Sequence, residues 1–444
     1  MSNIERPRGT RDFGPAEMAA RRRLEQKLRG LLERWGYREV QTPTFEHLEL
    51  FTAKSGPGVV DQLYAFKDKG ERELTLRPEL TAPVLRYYVS DLQMAPKPLR
   101  LHYFGPCFRY ERPQSGRYRE FWQFGTELIG ADGPEGDAEI IALAQACVQA
   151  AGVREHALRV GHIGLLRTLV KHVPEAQRAE TFRRIDKDDA GLEAFLLEAG
   201  TAAPVAALVG RASGLTARLE LGGGASEVQA RIEAALDPAR RAFGGAAGAL
   251  PPADLAEVET AFKRLADVLL ALSAMAGGIT VHVDFGVARG LDYYTGVVFE
   301  IEAPDLGAEK QVLGGGAYAL AELFGGSPVA SVGFGLGFDR VLLAAGETPR
   351  ARPVDAHMVP IGEAARFEAA RIAQALRGAG LHVSLDVNRR NPSKNLDYAN
   401  AIGARHAVIL GSKELERGVA TVKDLATGNQ DEVPVAQLAK RLGG

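Results

Sequence analysis

Cysteine is scarce in this sequence: Cys107 and Cys147 are the only two among 444 residues. Two thiols cannot build a disulfide framework or a four-thiolate zinc site, so we predict a reducing, cytoplasmic location. No stretch reaches the run of about 18 apolar residues that a transmembrane helix needs. The opening MSNIERPRGTRDF lacks the apolar segment of a secretory signal. We therefore expect neither a disulfide-rich secreted domain nor a membrane-spanning protein.

An excess of charge of one sign is also missing. The 54 lysines and arginines nearly balance the 56 aspartates and glutamates, which gives a net charge of −2. A protein that binds nucleic acid with its whole surface is therefore not expected. Two stretches differ: 100–119 contains five arginines and one acid, and 366–413 contains eight basic and three acidic residues. Such stretches are either local sites for a polyanion or ordinary solvated faces.

The length and composition are those of a globular protein. At roughly 150 residues per domain, the chain predicts about three domains. Apolar residues make up 46% of the sequence and charged residues 25%, which excludes disorder as the main state.

Apolar periodicity divides the chain into a mixed first part, a helical middle and an α/β end. A helix is predicted over 16–35. Strand-like runs at 99–113 and 119–130 predict a long antiparallel hairpin with an arginine-rich tip. Residues 164–275 have an almost wholly helical pattern. From Val354 onward, short apolar strands alternate with helices, which predicts an α/β unit whose sheet is at least partly parallel.

Two glycine-rich segments do not match the common nucleotide-binding loops. No Walker A sequence is present, and GFGLGF at 333–338 has no third glycine where a dinucleotide fingerprint needs it. We expect this segment to lead from a strand through a tight glycine segment into a helix, and LGGGAY at 313–318 to form a glycine run between strands. No HExxH or CxxC spacing occurs, so no protein-held metal is predicted.

Charged side chains interrupt strand-like, otherwise apolar sequence in three segments. These are TLRPELT at 75–81, FRYERPQSGRYREFWQFGTE at 108–127 and VARGLDYYTG at 287–296. Alternate residues of a strand share a face, so Arg109 and Glu111 are expected to point together. Burying such groups costs free energy unless they pair with one another or meet a polar ligand.

The residue types in these segments indicate the chemistry of a ligand. Several guanidinium groups favour phosphate or carboxylate, because each donates two parallel hydrogen bonds. Phe121 offers a surface on which a base can stack, and acids with tyrosine hydroxyls suit an amine or an imidazole ring. Together they predict a site for a nucleotide and a small zwitterion. The alternative is that the arginines and acids only pair with each other.

These segments together resemble the class II aminoacyl-tRNA synthetases and, within them, the histidyl-tRNA synthetase family. YREVQTPTFEHLELF is similar to the first class motif, which forms a dimer interface. FRYERPQSGRYREFWQFGTELIG is similar to the second motif and VGFGLGFDRVLLA to the third. RGLDYYTGVVFE and LGGGAYALAELFGG resemble the amino-acid-specific signatures. PRGTRDF and ARHAVILGSKELERGVATVKDL also resemble this family, so the likeness covers nearly the whole chain.

The resemblance implies an α+β fold. A six-stranded antiparallel sheet with flanking helices would carry a helical insertion, and a C-terminal α/β anticodon-binding domain would follow. The implied limits are 1–163 for the first part of the catalytic core, 164–276 for the insertion, 277–346 for the second part of the core, 347–353 for a linker and 354–444 for the anticodon-binding domain.

The implied reaction joins histidine and ATP to histidyl-adenylate and then transfers histidine to the 3′-terminal adenosine of the histidine tRNA. The enzyme would be a homodimer, and Mg²⁺ would be carried with ATP rather than in a protein cage. The attacking carboxylate is already anionic, so no general base is needed. The protein must instead neutralise two anions and hold them in line.

The resemblance assigns the catalytic charges to three arginines. Arg109 would bridge the histidine carboxylate and the α-phosphate, Arg289 would add a second positive charge there, and Arg340 would hold the γ-phosphate. The remaining ATP contacts it implies are Glu111 near the adenine, Phe121 stacking on the base and Arg117 at the phosphates.

The resemblance also implies contacts to histidine and tRNA. The amino and carboxylate groups of histidine would bind Glu79, Thr81 and Gln123, and the imidazole would bind Glu127, Tyr293 and Tyr294. Others implied in this pocket are Arg109, Arg289, Leu291 and Tyr318. The acceptor end of the tRNA would meet Gln114 and Arg119, and the anticodon stem and loop would meet the basic surface of 366–413.

Three positions depart from the family pattern. Ala317 and Ala319 surround Tyr318, where an arginine and an acid or amide are usual, and Leu80 stands where glycine or methionine is usual. One alternative is therefore the histidine-sensing regulatory subunit paralogue of ATP phosphoribosyltransferase, which typically lacks the C-terminal domain and loses the arginines. Another is an adenylate-forming ligase of the same fold that does not act on tRNA.

Overall fold

The chain divides into two compact units. The computed structural model describes residues 4–55, 57–112, 117–187, 189–245, 250–287, 293–307, 310–346, 348–349 and 352–443. The first unit contains residues 1–13 and 21–348, and the second contains residues 14–20 and 349–444. No helix within the described ranges is both long and apolar enough to cross a membrane.

Helix α1 (Pro15–Arg34) forms almost where the periodicity predicts it. Leu24, Leu28 and Leu32 recur at helical spacing and are buried, at most 4% exposed. Gly36, with a φ of +83°, follows the helix in the left-handed conformation that glycine adopts without steric cost. The other helices up to residue 348 are α2 (Glu49–Ser55), α3 (Thr81–Tyr87), α4 (Pro134–Ala151), α5 (Ile163–Val170), α6 (Glu175–Asp186), α7 (Leu192–Glu198), α8 (Ala203–Ser213), α9 (Ala225–Gly244), α10 (Pro252–Met275) and α11 (Phe338–Ala344).

Twelve described strands of the first unit form a large sheet and a small one. They are β1 (Arg38–Glu39), β2 (Phe45–His47), β3 (Tyr64–Lys67), β4 (Glu73–Leu76), β5 (Leu99–Phe108), β6 (Glu120–Ile129), β7 (Ala157–His162), β8 (Thr216–Glu220), β9 (Thr280–Asp284), β10 (Tyr294–Glu302), β11 (Gln311–Tyr318) and β12 (Ser331–Gly337). The small sheet has the order β2-β4-β3.

The large sheet has the order β1-β5-β6-β12-β11-β10-β7-β9-β8. From β5 to β7, each strand in this order is antiparallel to its neighbours. This is the six-stranded antiparallel sheet that the sequence resemblance implies. Three further strands extend it: β1 runs parallel to β5 at one edge, and β9 and β8 follow β7 at the other.

The glycine-rich segments are strands rather than a turn or an irregular run. Gly315 on β11 pairs with Phe334 on β12, and a Cβ at Gly315 would lie 2.2 Å from the carbonyl oxygen of Gly333. Only glycine allows the two backbones to approach this closely. The glycines at these positions therefore permit a dense sheet, and the expectation of a tight glycine segment before α11 was wrong.

The region predicted to be helical contains one strand, and another strand comes directly before it. β8 lies within 164–275, where the apolar period suggested helices almost throughout, and β7 lies just before it. β8 is five residues long and joins the sheet by pairing with β9, whose residues lie 60 to 68 positions further along the chain. The helices of this region share one continuous hydrophobic cluster with the sheet, through residues such as Leu165, Phe262 and Val283.

The arginine-rich end of the hairpin departs from the predicted strand. β5 ends at Phe108, and the backbone N–H of Glu111 donates to the carbonyl of Arg109 at 2.9 Å. Arg109, Glu111 and Arg112 therefore follow the strand instead of lying on it. The pairing of β5 with β6 is otherwise the antiparallel hairpin that the sequence predicts.

The described residues from 352 onward form a separate α/β arrangement with its own hydrophobic cluster. Its elements are β13 (Val354–Pro360), α12 (Glu363–Gly378), β14 (Val383–Leu385), α13 (Pro392–Ala401), β15 (Ala404–Leu410), α14 (Ser412–Glu416), β16 (Val419–Asp424), β17 (Gln430–Pro434) and α15 (Leu438–Leu442). The sheet has the order β14-β13-β15-β16-β17, parallel from β14 to β15 and antiparallel beyond. This confirms the prediction of a partly parallel sheet.

Candidate active site

A cavity of about 500 Å³ lies over β6, β11 and β12, at the mouth of the β5–β6 hairpin. Eleven of the residues singled out from the sequence line it, although they come from distant parts of the chain. They are Glu79, Thr81, Arg109, Glu111, Arg117, Phe121, Gln123, Tyr293, Tyr294, Tyr318 and Arg340.

Five of the residues singled out from the sequence are not among those lining this cavity. Arg119 donates through Nε to the carbonyl of Glu111 at 3.1 Å and stacks over the ring of Tyr110. Glu127 is fully buried beneath the cavity. Gln114, Arg289 and Leu291 lie outside the described residues.

Glu127 is the centre of a buried group of hydroxyls. Its carboxylate accepts from the hydroxyl of Tyr103 at 3.1 Å and from the hydroxyl of Tyr318. The hydroxyls of Tyr103 and Thr81 are 3.4 Å apart. Of these, Tyr318 and Thr81 reach the cavity wall, so the carboxylate controls the direction of hydrogen bonds at this end.

The glycines of β12 make room for this buried group. A Cβ at Gly333 would lie 2.0 Å from Oε2 of Glu127, and a Cβ at Gly335 would lie 2.3 Å from Nε2 of Gln123. Gln123 uses Oε1 to accept the backbone N–H of Leu80 at 3.1 Å. Its amide N–H groups are thereby turned towards Gly335, which also lines the cavity.

Glu79 is held at the start of α3. Its Oε2 accepts the backbone N–H of Thr81 at 2.6 Å, and its Oε1 accepts that of Ala82 at 3.0 Å. These bonds satisfy backbone donors that a helix start would otherwise leave unpaired. They also fix a carboxylate at the same end of the cavity as Gln123 and Thr81.

Burial raises the pKa of Glu127 to about 7, although hydrogen bonds from Tyr318, Thr81 and Tyr103 oppose the shift. Between pH 4.5 and 7 the folded chain therefore binds a proton that the unfolded chain has released. By linkage, this carboxyl lowers the free energy of unfolding as the pH rises through that window.

We expect a Glu127→Gln variant to lack this dependence. The difference in free energy of unfolding between wild type and variant should fall by on the order of 3 kcal/mol from pH 4.5 to 7.5. Urea unfolding at several pH values measures it. A difference that stays constant across this range would contradict the burial argument.

The opposite end of the cavity is cationic. Nε of Arg109 donates to the carbonyl of Pro78 at 3.0 Å, and its guanidinium lies 5.1 Å from the centre of the Phe121 ring. Nη1 of Arg340 donates to the carbonyl of Gln311 at 2.9 Å. Backbone oxygens thus help to orient both guanidiniums.

Arg117 and Glu111 form an ion pair at the hairpin mouth. Burial pushes the pKa of Glu111 upward, but the hydrogen bond and the charge of Arg117 outweigh it, so the pKa is lowered. Among the described residues, no group of three or more histidine, cysteine, aspartate or glutamate side chains could hold a metal ion.

Several residues of the site were not identified from the sequence. Tyr103 was missed because it is an ordinary aromatic residue of β5, and only its pairing opposite Gly125 brings it near Glu127. Asp339 also lines the cavity. Its one sequence signal was its position directly before Arg340.

The arrangement separates two kinds of chemistry within one cavity. Carboxylates, hydroxyls and a primary amide lie at one end, where they can pair with an amine, a carboxylate and a ring N–H. Guanidinium groups and an aromatic face lie at the other, where they suit phosphates and a base. A reaction between a bound zwitterion and a bound nucleotide fits this geometry.

Comparisons with known proteins agree with this chemistry. A family model described as histidyl-tRNA synthetase matches residues 9–341, and one described as an anticodon-binding domain matches residues 355–443. The histidine–tRNA ligase of Methanosarcina acetivorans is 44% identical over 443 residues, which cover 99% of each protein. That of Methanocorpusculum labreanum is 46% identical over 433 residues, 97% of each.

A solved structure matches over the same extent. The crystal structure of apo histidyl-tRNA synthetase from S. aureus superimposes with a TM-score of 0.67 at 26% sequence identity. The match covers 99% of this chain and 100% of that one.

Proposed function

This chain belongs to the histidyl-tRNA synthetase family, and from that premise we propose that it activates histidine with ATP and charges the histidine tRNA. The observation that carries the proposal is the single cavity with an acid–hydroxyl end and a guanidinium end. Histidine-dependent exchange of pyrophosphate into ATP tests the first step, and attachment of histidine to tRNA tests the second.

In this proposal, histidine binds at the end of the cavity that contains Glu79, Thr81 and Gln123. The carboxylate of Glu79 accepts from the α-amino group, and the amide N–H groups of Gln123 donate to the α-carboxylate. Tyr318, whose hydroxyl donates to Glu127, presents its oxygen to a ring N–H of the imidazole. Tyr293 and Tyr294 complete this wall of the cavity.

ATP binds at the cationic end, together with Mg²⁺ that neutralises part of the phosphate charge. The adenine stacks on Phe121, with Glu111 near its polar edge. Arg117 and Arg340 hold the phosphates. The histidine carboxylate then attacks the α-phosphorus and pyrophosphate leaves. Both reacting groups are anions, so positive charge placed between them lowers the barrier.

Arg109 is assigned to that position, because its guanidinium lies beside Phe121, which stands two residues before Gln123 on β6. We assign Arg289 to the same phosphate by its place in RGLDYYTG. Arg289 itself lies outside the described residues. Tyr293, four residues further along the chain, lines the cavity and supports this assignment. Leu291 is assigned to the histidine pocket, and Gln114 and Arg119 to the acceptor end of the tRNA, on the same sequence basis.

We further propose that the chain works as a cytoplasmic homodimer. The small sheet β2-β4-β3 leaves Phe45 55% exposed and Phe66 44% exposed. Phe45 lies in the segment that resembles the first class motif.

We also propose the domain limits that the sequence predicts, including a linker at 347–353.

The second unit is proposed to bind the anticodon stem and loop. Arg366 and Arg390 both contact the buried Asp386, and Arg390 lies 4.0 Å from the ring centre of Tyr398. Arg389, which is 71% exposed, pairs with the exposed Glu363. Basic groups beside an accessible aromatic ring are a common surface for single-stranded RNA.

Replacing Arg389 by alanine should raise the KM for tRNA about fivefold to tenfold without changing pyrophosphate exchange. The surface pair with Glu363 adds little to stability, so the effect would come from a lost phosphate contact. The slope of log KM against log salt concentration should fall by about one. Arg417→Ala is the matched control, since Arg417 is an exposed arginine paired with Glu432 outside 366–413. Equal effects in the two variants would contradict the assignment.

A further inference from the structure

One carboxylate joins the two walls of the nucleotide end of the cavity. Asp339 lies directly before Arg340 in α11, and its Oδ2 accepts the backbone N–H of Trp122 at 2.9 Å. Trp122 directly follows Phe121 on β6. The side chain of Asp339 is only 6% exposed. Its position therefore fixes the spacing between the strand that carries Phe121 and the helix that carries Arg340.

Two arginines from the start of the chain hold this carboxylate. Nη2 of Arg11 donates to Oδ1 of Asp339 at 2.7 Å, and Nη1 of Arg21 donates to the same oxygen at 2.5 Å. The guanidinium of Arg11 also lies 3.6 Å from the centre of the Tyr118 ring. Tyr118 lines the cavity, so Arg11 contacts two of its wall residues at once.

The surrounding segment is attached to the hairpin as well. The backbone N–H of Arg119 donates to the carbonyl of Gly9 at 2.9 Å. Residues 9–13 thus lie against the start of β6 and against Asp339.

The arrangement contains more positive charge than holding Asp339 requires. The side chain of Arg21 is 5% exposed, and its guanidinium lies among the rings of Phe13 and Phe338, 4.1 and 5.0 Å from their centres. Within the described part of the chain, Nη2 of Arg21 and Nε of Arg11 are buried without a hydrogen-bond partner. Burying a second guanidinium beside one carboxylate costs free energy. A role at the site accounts for that cost better than stability alone.

We propose that Arg11 is a positioning residue for ATP, acting through Asp339 and Tyr118. It keeps Arg340 and Phe121 at the spacing that the phosphates and the base require, and it does not touch the substrate. The proposal rests on the proposed function, since it concerns the nucleotide end of that site. Histidine binds at the opposite end and should not depend on Arg11.

Arg11→Ala tests this proposal in the full-length protein. Because Arg21 still holds Asp339, the fold should survive, which thermal unfolding checks. In histidine-dependent pyrophosphate exchange, the KM for ATP should rise about tenfold and the KM for histidine should change less than twofold. Arg11→Lys, which keeps a charge near Asp339, should recover part of the loss. Arg6→Ala is the matched control, because Arg6 lies five residues before Arg11 and, among the described residues, forms its ion pair with the exposed Asp12.

A double-mutant cycle separates positioning from a general structural role. In an Asp339→Asn background, adding Arg11→Ala should raise the KM for ATP by clearly less than the roughly tenfold expected in the wild-type background, because one of the two groups through which Arg11 acts has been altered. Additive effects, an unchanged KM for ATP in Arg11→Ala, or equal rises in both KM values would overturn the proposal. A wild-type protein without any exchange would instead overturn the proposed function.

Discussion

Replacing Arg109 by glutamine should lower histidine-dependent pyrophosphate exchange at least 1,000-fold, an effect on the order of 4 kcal/mol. Nε of Arg109 is held by the carbonyl of Pro78, and its guanidinium lies beside the Phe121 ring. The charge is therefore fixed in place before substrates bind. Glutamine keeps hydrogen-bond donors but removes the positive charge that the two reacting anions need.

A lysine at position 109 should restore little of this activity. Lysine provides a point charge on a flexible stem, and the planar fork that donates to two oxygens at once is lost. Arg112→Gln is the matched control, because Arg112 is an exposed arginine of the same hairpin that does not line the cavity. Exchange in Arg109→Gln within tenfold of the control would contradict the role assigned to Arg109.

Replacing Glu127 by glutamine should raise the KM for histidine about 100-fold or more and leave the KM for ATP nearly unchanged. An ionised Glu127 accepts from Tyr103 and Tyr318, so the oxygen of Tyr318 is left to accept a ring N–H. The amide of glutamine can donate to a tyrosine oxygen and reverse this direction. A buried site with mismatched donors and acceptors rejects its ligand strongly.

Steady-state pyrophosphate exchange at varied histidine and varied ATP measures both constants. Glu120→Gln is a suitable control, since Glu120 starts the same strand and does not line the cavity. A rise in the KM for ATP that equals the rise for histidine would show a distorted site rather than a specific loss of imidazole recognition.

Local patterns in the sequence predicted those elements whose signals are local. The hairpin of β5 and β6 follows from alternation, and the strand–helix alternation predicted from Val354 onward is confirmed by β13, α12 and β14. β8 was missed because its five residues are too few to show a clear strand-like alternation of apolar and polar residues. β11 and the glycine-rich part of β12 were misread because glycine usually weakens a strand. The close approach of Gly315 to β12 explains why glycine stands there.

The candidate site was predicted as a set of residue types, but not as a three-dimensional arrangement. The resemblance to a known family assigned Arg109, Gln123 and Arg340 to one site, and in the structure all three line one cavity. Sequence reasoning could not place Glu127 beneath the cavity, because its depth depends on Gly333 across the neighbouring strand. The bond from Arg11 to Asp339 joins residues 328 positions apart, and no local pattern reports such a contact.

The central claim is that the cavity activates histidine for attachment to tRNA. Exchange of labelled pyrophosphate into ATP with each of the twenty amino acids in turn, without tRNA, tests it most directly. We predict exchange with histidine alone, followed by charging of the histidine tRNA when it is added. No exchange with histidine, combined with a histidine-dependent rise in the unfolding temperature, would contradict the claim and indicate a histidine-sensing protein instead.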